Sequence, residues 1–262
     1  MVSRQEITAW RPPVDGISEV FHARFVEHAY PVHTHDTWTL LIVDDGAVRF
    51  DLDHHERGAL RSGVTLLPPH VPHDGRAATP RGFRKRVLYL DGSLLDAGLV
   101  GAAVDHPGLR DAVLRHRVHQ LHGTLADPGD ELEAQSRLAL IVDRLRGHLG
   151  GGPDERPAGR TVARRLRELL DERITDGLGL TEAAGLLHVH PTHLVRAFTA
   201  EFGIAPHQYL TGRRVDLARH LLLAGSRPAD VAAAAGFYDQ AHLTRHFRRM
   251  LGTSPARYAR HG

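Results

Sequence analysis

Two stretches of the sequence repeat one pattern: residues 193–203 read HLVRAFTAEFG, and residues 242–252 read HLTRHFRRMLG. Matching residues recur at a constant offset of 49 positions, and the match continues past both stretches. The recurring pairs are His193/His242, Leu194/Leu243, Arg196/Arg245, Phe198/Phe247, Gly203/Gly252, Pro206/Pro255 and Tyr209/Tyr258. A repeat in such strict register predicts that the chain builds the same structural unit twice.

Each copy predicts a helix with one apolar face and one face suited to base edges. Leu194, Phe198 and Phe202 share the inner face at i, i+4 and i+8, as do Leu243, Phe247 and Leu251 in the second copy. The opposite face combines guanidinium, hydroxyl and small apolar groups, which can contact guanine, several bases and the thymine methyl in a major groove. The candidate DNA-contacting residues are Thr192, Val195, Arg196, Thr199, Gln240, Ala241, Thr244, Arg245 and Arg248.

A short Ala-rich helix and a tight turn precede each of these helices, in LTEAAGLLHVH and PADVAAAAGFYDQ. This order predicts two helix-turn-helix units, with helices at 161–175, 180–188, 191–202, 206–223, 228–235 and 240–251. Gly203, Gly225, Gly236 and Gly252 are predicted to end helices. Two joined units could read major-groove faces about 34 Å apart. The alternative is an ordinary helical bundle.

The stretch GFYDQAHLTRHFRRMLGTSPARY, residues 236–258, resembles the second helix-turn-helix of the AraC/XylS family of bacterial transcription regulators. The preceding unit is similar to the family's weaker first pattern, so that the resemblance covers about 100 C-terminal residues. It implies that Thr192, Val195, Arg196, Gln240, Ala241, His242, Thr244 and Arg245 face bases. It also implies structural roles for Phe198, Phe247, Pro206 and Pro255.

Charge divides the chain. Residues 1–159 hold 18 Lys/Arg and 22 Asp/Glu, whereas residues 160–262 hold 15 and 9, so only the rear segment is basic. The Gly-, Pro- and charge-rich stretch at 150–160 is typical of a linker. We therefore predict an effector-binding and dimerisation domain at 1–149, a linker at 150–160 and a DNA-binding domain at 161–262.

Composition excludes several classes of protein. The chain has no cysteine, which rules out disulfides and thiolate metal sites. It has neither an 18-residue apolar run nor a signal-peptide core, so we expect a soluble cytoplasmic protein without membrane contact. Lys85 is the only lysine, against 32 arginines. We attribute this imbalance to codon bias, with selection for phosphate binding as the alternative.

The front half is predicted to be β-rich. Short apolar or alternating runs, punctuated by Gly and Pro, lie between residues 20 and 90 and predict a small antiparallel barrel or sandwich. Helical patterns follow near 109–121 and 130–149. Leu138, Ile141, Leu145 and Leu149 form an apolar stripe, which either packs on the barrel or forms a subunit interface. The fold class is thus a two-domain α+β protein, with an antiparallel β-barrel carrying two helices and an all-α double helix-turn-helix.

The segment that begins PVHTHDTW at residue 31 resembles the cupin-type ligand-binding domain found ahead of such DNA-binding modules. The resemblance implies that His33, His35 and His73 converge inside the barrel. Three imidazoles could bind a divalent metal (Zn, Ni or Fe), or they could line a polar effector pocket. Metal cupins place a Glu shortly after the H-x-H pair, whereas this chain has Asp36 there. The candidate walls of this pocket are Trp38, Phe50 and Tyr89. Of these, we assign Trp38 to the effector site.

Together these patterns predict a sequence-specific transcriptional regulator whose action on promoter DNA is controlled by a small-molecule effector. Double-stranded DNA, the effector, RNA polymerase and a second copy of the chain are the expected partners. No catalytic triad or phosphate-binding Gly loop is recognisable, so we expect no enzyme activity. The alternatives are a metal-dependent cupin enzyme with an appended nucleic-acid-binding module, and a DNA-binding protein whose barrel only dimerises.

Overall fold

A computed structural model describes residues 6–26, 29–53, 55–59, 61–150, 159–251 and 253–259. By its internal contacts the chain divides into two compact units. The first consists of residues 1–123 and 141–153, and the second of residues 124–140 and 154–262. The two-domain α+β class is thereby confirmed. Most of the predicted linker, residues 151–158, lies outside the described residues.

The first unit is built from two antiparallel sheets. Its strands are β1 (Glu6–Trp10), β2 (Ile17–Phe25), β3 (Ala29–His33), β4 (Trp38–Gly46), β5 (Val48–Leu52), β6 (His55–Ala59), β7 (Val64–Leu67), β8 (His73–Ala77), β9 (Phe83–Leu90) and β10 (Gly108–Leu109). The larger sheet has the order β1-β2-β9-β4-β7-β10, and the smaller has the order β3-β8-β5-β6. Inward residues of both sheets share one apolar core, which includes Phe25, Leu41, Phe50 and Phe83.

The predicted closed barrel is wrong in one respect: the two sheets do not join. Among the described strands, β1 and β10 end the larger sheet, and β3 and β6 end the smaller. Alternating hydrophobicity identifies which side chains face inwards, but closure depends on hydrogen bonds between edge strands. The sequence pattern therefore predicted the cupin-like layers correctly without distinguishing a sandwich from a barrel.

Three helices accompany these sheets in the sequence: α1 (Val100–Asp105), α2 (Ala112–Thr124) and α3 (Glu131–His148). Residues 141–148 of α3 belong to the first unit, where Asp111 accepts hydrogen bonds from the Leu114 amide at 2.9 Å and from Arg144 Nε at 2.5 Å. The Arg144 hydrogen bond, with further help from the amide and from His148, holds the Asp111 pKa well below its usual range against the effect of burial.

The apolar stripe on α3 is buried within this one chain. Leu138, Ile141, Leu145 and Leu149 are at most 6% exposed. The stripe is therefore not available as a subunit interface, and of the two alternatives only packing within the chain agrees with the structure. A homodimer stays a prediction that these four residues do not support.

Seven helices follow in the described part of the second unit. They are α4 (Gly159–Glu172), α5 (Leu180–Leu187), α6 (Pro191–Phe202), α7 (Pro206–Leu223), α8 (Pro228–Ala234), α9 (Gln240–Leu251) and α10 (Pro255–Tyr258). Left-handed glycines follow α6 at Gly203 (φ 73°) and α8 at Gly236 (φ 77°), as predicted, while Gly252 lies outside the described residues. No described helix is both long enough and apolar enough to cross a membrane.

The sequence repeat is reproduced in space as two separate cores. Phe198 is fully buried in one core and packs edge-on against Tyr209, with ring centroids 5.6 Å apart. Phe247 is fully buried in the other and meets Tyr258 in the same way at 5.3 Å. The predicted double unit is therefore confirmed at the level of its packing.

Candidate nucleic-acid interface and ligand cavity

Both candidate reading helices begin at capped N-termini. At the start of α6 the His190 ring accepts a hydrogen bond from the Thr192 amide at 3.2 Å, and Pro191 occupies the first turn. At the start of α9 the Asp239 carboxylate accepts one from the His242 amide at 2.6 Å. Each cap satisfies one of the backbone amides that the first turn of a helix leaves without an intrahelical partner.

Half of the predicted DNA-contacting residues are exposed: Arg196, Thr199, Gln240, Ala241 and Arg248. Thr244 is half-buried on α9. The Thr199 hydroxyl donates to the Val195 carbonyl within its own helix at 2.7 Å, which leaves its oxygen as an acceptor. The exposed side chains on α9, Gln240, Ala241 and Arg248, lie at the surface of this unit.

Arg245, the central candidate of α9, is held by carboxylates of residues 124–140, which we term the covering segment. Its Nη1 lies 2.8 Å from Asp127 Oδ2, and its Nη2 lies 2.6 Å from Asp130 Oδ2. With both of its Nη groups paired with carboxylates, the guanidinium does not present them as a bidentate pair to a guanine. In this conformation Arg245 is therefore occupied within the chain.

Two histidines of α9 complete the contact with Asp130. The Nε2 atoms of His242 and His246 lie 2.9 and 3.0 Å from Asp130 Oδ1. Burial would raise the Asp130 pKa, but hydrogen bonds from the two histidines outweigh it and hold that pKa well below its usual range. Both histidines are buried, so His242 does not face solvent as the resemblance implied.

Gly129 allows this close approach. Its φ is +93°, and a Cβ at this position would lie 2.4 Å from Nδ1 of His242. A larger residue would collide with the His242 ring and would also be strained in the left-handed region. The turn before α3 is thus shaped to fit the surface of α9.

Asp130, His242 and His246 are close enough to suggest a metal site, but the hydrogen bonds argue against it. The Tyr238 amide donates to His242 Nδ1 at 3.2 Å, so Nδ1 is the acceptor and the ring proton sits on Nε2. That proton points at Asp130 and fills the position that a metal would need. The arrangement is a hydrogen-bonded cluster.

The covering segment also buries two predicted base contacts on α6. Thr192 is 5% exposed and Val195 is 1% exposed, and the Thr192 hydroxyl donates to the Ala139 carbonyl at 3.2 Å. Val195 and Ala139 share the core of the first repeat. The expectation that Thr192 and Val195 lie on the open face of α6 is therefore wrong for this conformation, because α3 packs over them.

Sequence reasoning missed the covering segment because it assigned residues 130–149 to the front domain as a whole. A signal was present: the acidic stretch ADPGDELE, residues 126–133, precedes α3, while α9 carries Arg245, Arg248 and Arg249. Opposite charge alone does not specify contact, so the pattern could suggest the pairing but not its geometry.

A cavity of about 550 Å³ lies in the first unit. Its lining includes the predicted residues His33, His35 and His73, which the fold brings together from β3, β8 and the β3–β4 loop. The imidazole centroids lie 4.9 Å (His33–His35), 4.5 Å (His33–His73) and 5.1 Å (His35–His73) apart. The three predicted histidines thus form one cluster on the cavity wall.

Backbone carbonyls fix the tautomers of two of these rings. Nδ1 of His33 lies 2.7 Å from the Pro31 carbonyl, and Nδ1 of His73 lies 3.0 Å from the Val71 carbonyl. A carbonyl can only accept, so both Nδ1 atoms carry the proton and both Nε2 atoms offer lone pairs. This is the tautomer that a metal ligand or a hydrogen-bond acceptor requires.

Burial in the cavity favours the uncharged form of two of these imidazoles, His35 and His73. Burial, together with the neighbouring His73 and His33, lowers the pKa of His35 to about 4. Burial also lowers the pKa of His73, although the hydrogen bond to the Val71 carbonyl partly offsets the effect. Neutral rings are the form that coordinates metals.

Of the candidate walls, Phe50 and Tyr89 line the cavity, whereas Trp38 does not. Residues of β4 alternate, so Thr39 and Leu41 face the cavity and Trp38 faces the other side, where it is 1% exposed. The prediction that Trp38 contacts the effector is therefore wrong, because its side chain points away from the cavity. Thr39 was missed because its small side chain carries no pattern in the sequence.

Lys85 on β9 is a second cavity residue that sequence reasoning did not assign. Its Nζ lies 4.4 Å from the centroid of the Tyr30 ring and 5.8 Å from that of Phe21. Burial lowers the pKa of Lys85 to about 8. We attribute the scarcity of lysine to codon bias, and that explanation assigns no role to Lys85.

Comparison with known proteins finds one domain family on each side of the predicted linker. Residues 15–142 match the family described as AraC-like ligand binding domain, and residues 183–261 match a helix-turn-helix domain family. The HTH-type transcriptional regulator YbfI of Bacillus subtilis is 23% identical over 86% of this chain and 85% of its own length. The virulence regulon transcriptional activator VirF of Yersinia enterocolitica is 32% identical over 48% of this chain and 43% of VirF.

Among solved structures, the AraC-like transcriptional activator CuxR is 16% identical, with 88% of this chain and 83% of that chain covered and a TM-score of 0.45. The two domain matches and the two helix-turn-helix units define a DNA-binding transcriptional regulator with a ligand-binding domain. The chain belongs to the AraC family of such regulators.

Proposed function

We propose that this regulator binds promoter DNA through α6 and α9 only after the covering segment has left them. The observation that carries the proposal is the double ion pair of Arg245 with Asp127 and Asp130. DNA phosphates repel these carboxylates, and the guanidinium can serve only one set of acceptors. The conformation described here is accordingly the form that does not bind DNA.

A small-molecule effector in the cavity of the first unit controls the release. Helix α3 provides residues 131–140 to the second unit and residues 141–148 to the first, so a continuous backbone joins the covering segment to the effector-binding unit. An effector shifts the balance only by binding one arrangement more tightly than the other. A preference of about 1.4 kcal/mol changes that balance tenfold.

The experiment measures the DNA affinity of the full-length wild-type protein and of the full-length Asp130→Asn variant. The duplexes are first selected in vitro from a random pool by the wild-type protein. We expect Asp130→Asn to bind at least fivefold more tightly, because Arg245 loses one of its two carboxylates. The control is Asp216→Asn, which removes the same charge from an exposed pair with Arg219 on α7. Equal gains in both variants would indicate a net-charge effect and would refute the release step.

A divalent metal, with zinc, nickel or iron as candidates, fits the His33–His35–His73 cluster. Two of the rings present unprotonated Nε2 atoms, and the pKa of His35 lies well below neutrality, which support the fit. When bound, such an ion would offer an open coordination position to an oxygen atom of the effector. The protein residues hold the rings in place through the Pro31 and Val71 carbonyls.

We infer no catalytic activity, since the relatives that match this chain are transcriptional regulators. A metal-dependent cupin enzyme would share the histidine cluster but would have no use for the paired reading helices. A homodimer and contact with RNA polymerase complete the proposal, which places the protein in the cytoplasm with the promoter DNA.

A further inference from the structure

The only lysine of the chain points into the cavity. Lys85 lies on β9 between Arg84 and Arg86, and the arginines face away from the core. The inward row of β9 consists otherwise of Phe83, Val87 and Tyr89, of which Phe83 and Val87 are buried in the apolar core. An ammonium group therefore interrupts a row of side chains that is apolar or aromatic everywhere else.

Within the described residues no carboxylate lies at ion-pair distance from Lys85 Nζ. Asp74, which also lines the cavity, accepts hydrogen bonds from the Asp51 amide at 2.7 Å and from Arg76 at 3.2 Å instead. The closest compensation for the ammonium is the face of the Tyr30 ring at 4.4 Å. The cavity thus contains one cation without a counter-ion.

Such a cation is costly for the folded protein, because a buried charge loses its hydration and regains it only through a partner. An apolar residue at position 85 would pack with Phe83 and Val87 at no such cost. A second unsatisfied group lies on the same wall: the Thr39 hydroxyl is buried and has no hydrogen-bond partner among the described residues. The Lys85 ammonium and the Thr39 hydroxyl are therefore both available to a molecule that enters the cavity.

We propose that the effector is a small organic acid whose carboxylate pairs with Lys85. This proposal rests on the proposed function, in which the cavity holds the effector. One ammonium matches the single charge of a carboxylate, whereas a phosphate carries about −1.5 to −2 and is typically held by several donors. The remainder of the acid fits the 550 Å³ of the cavity, where the Thr39 hydroxyl can donate to a carbonyl oxygen and the Nε2 atoms of His33 and His73 can accept from a hydroxyl.

The test uses the single lysine as a spectroscopic probe. Full-length protein labelled with ¹⁵N-lysine gives one side-chain Nζ resonance. Hexanoate, phenylacetate and gluconate are each titrated against the corresponding primary amide, up to 20 mM. We expect at least one acid to shift the Lys85 resonance saturably, with at least tenfold weaker binding of its amide. An absence of saturable shifts with all three acids, or equal binding of acid and amide, would overturn the proposal.

Substitution provides the second measurement. Lys85→Met keeps the length of the side chain and removes its charge, so the bound acid should lose at least tenfold in affinity by calorimetry. Arg84→Met is the control, since it removes one charge from the exposed face of the same strand. Unchanged affinity in Lys85→Met would exclude the pairing.

The proposed function and this inference fail in different ways. If an acid binds at Lys85 but leaves the affinity for the selected duplex unchanged, the ligand class stands and effector control fails. If a neutral compound changes DNA affinity without moving the Lys85 resonance, control stands and the ligand class fails.

Discussion

Arg245 is clamped between two carboxylates, with Nη1 2.8 Å from Asp127 Oδ2 and Nη2 2.6 Å from Asp130 Oδ2. A residue that the family resemblance assigns to base reading is therefore engaged by two carboxylates within the chain. Because Arg245 can pair either with the covering segment or with DNA, release of the covering segment and recognition of DNA are coupled in one equilibrium.

Arg245→Ala should have different effects in two backgrounds. In Asp130→Asn, where one of the two competing carboxylates is gone, we expect a loss of about 1–3 kcal/mol and relaxed specificity at one base pair. In the wild-type background the loss should be smaller, since DNA binding no longer has to break both ion pairs. Competition binding on duplexes with single base changes measures both values.

Arg245→Ala and Asp130→Asn together form a double-mutant cycle. Its control is Arg248→Ala, because Arg248 is exposed on the same helix. We expect it to weaken all duplexes alike and to reduce the slope of log affinity against log salt by about 1. Additive effects of Arg245→Ala and Asp130→Asn would contradict a shared contact, since coupled residues are not additive.

Gly129→Ala should detach the covering segment from α9. The added Cβ would lie 2.4 Å from His242 Nδ1 at a φ of +93°, so we expect a loss of about 1 kcal/mol in stability and tighter DNA binding. Gly147→Ala on α3 is the matched change, because nothing lies within 4 Å of its Cβ. It should instead stabilise the protein slightly. Thermal unfolding that ranks the two variants the other way would refute the steric argument.

Lys85→Met should stabilise the protein at pH 7. Burial holds the pKa of Lys85 at about 8 in the folded state, below the unfolded value of about 10.4, so the folded state disfavours the charged form. Between these values the unfolded chain binds more protons, and wild-type stability rises with pH. We expect a gain of about 3 kcal/mol at pH 7 that shrinks as the pH rises from 8 to 10.

Urea unfolding of wild type, Lys85→Met and Arg84→Met at pH 7 and pH 9.5 provides the measurement. The pH-dependent difference should be confined to Lys85→Met. A constant difference across this range would show that the ammonium is solvated in the folded protein.

His33→Ala should weaken metal binding at least tenfold and abolish the effector response, while DNA binding without effector stays intact. The removed ring supplies one of three clustered nitrogens whose tautomer is fixed by the Pro31 carbonyl. His116→Ala is the comparison, since His116 is exposed on α2. Metal content by mass spectrometry after dialysis decides between them, and equal content in the two variants would remove the metal assignment.

The sequence was most informative where a local pattern determines local structure. The boundaries of α6, α7 and α9 and the inward positions of Phe198 and Phe247 follow from helical spacing and from capping residues. The convergence of His33, His35 and His73 came from the family resemblance. These features depend on short-range order or on a shared fold.

The sequence was least informative where two remote segments meet. Nothing in the spacing of α3 indicated that Ala139 would cover Thr192, or that Asp130 would bind His242 and Arg245. The direction of Trp38 was also missed, because a strand buried on both faces has no polar side to mark its orientation. Long-range pairing is set by tertiary packing, which overrides local pattern.

The separate aromatic pairs, Phe198 with Tyr209 and Phe247 with Tyr258, have a consequence for how such a regulator changes its targets. Each repeat has its own aromatic pair in its own core. A substitution on the DNA-facing side of α6 or α9 therefore leaves the packing of the other repeat intact. Substitutions can then change the base preference of one repeat, while the other repeat keeps its contacts with the same promoter.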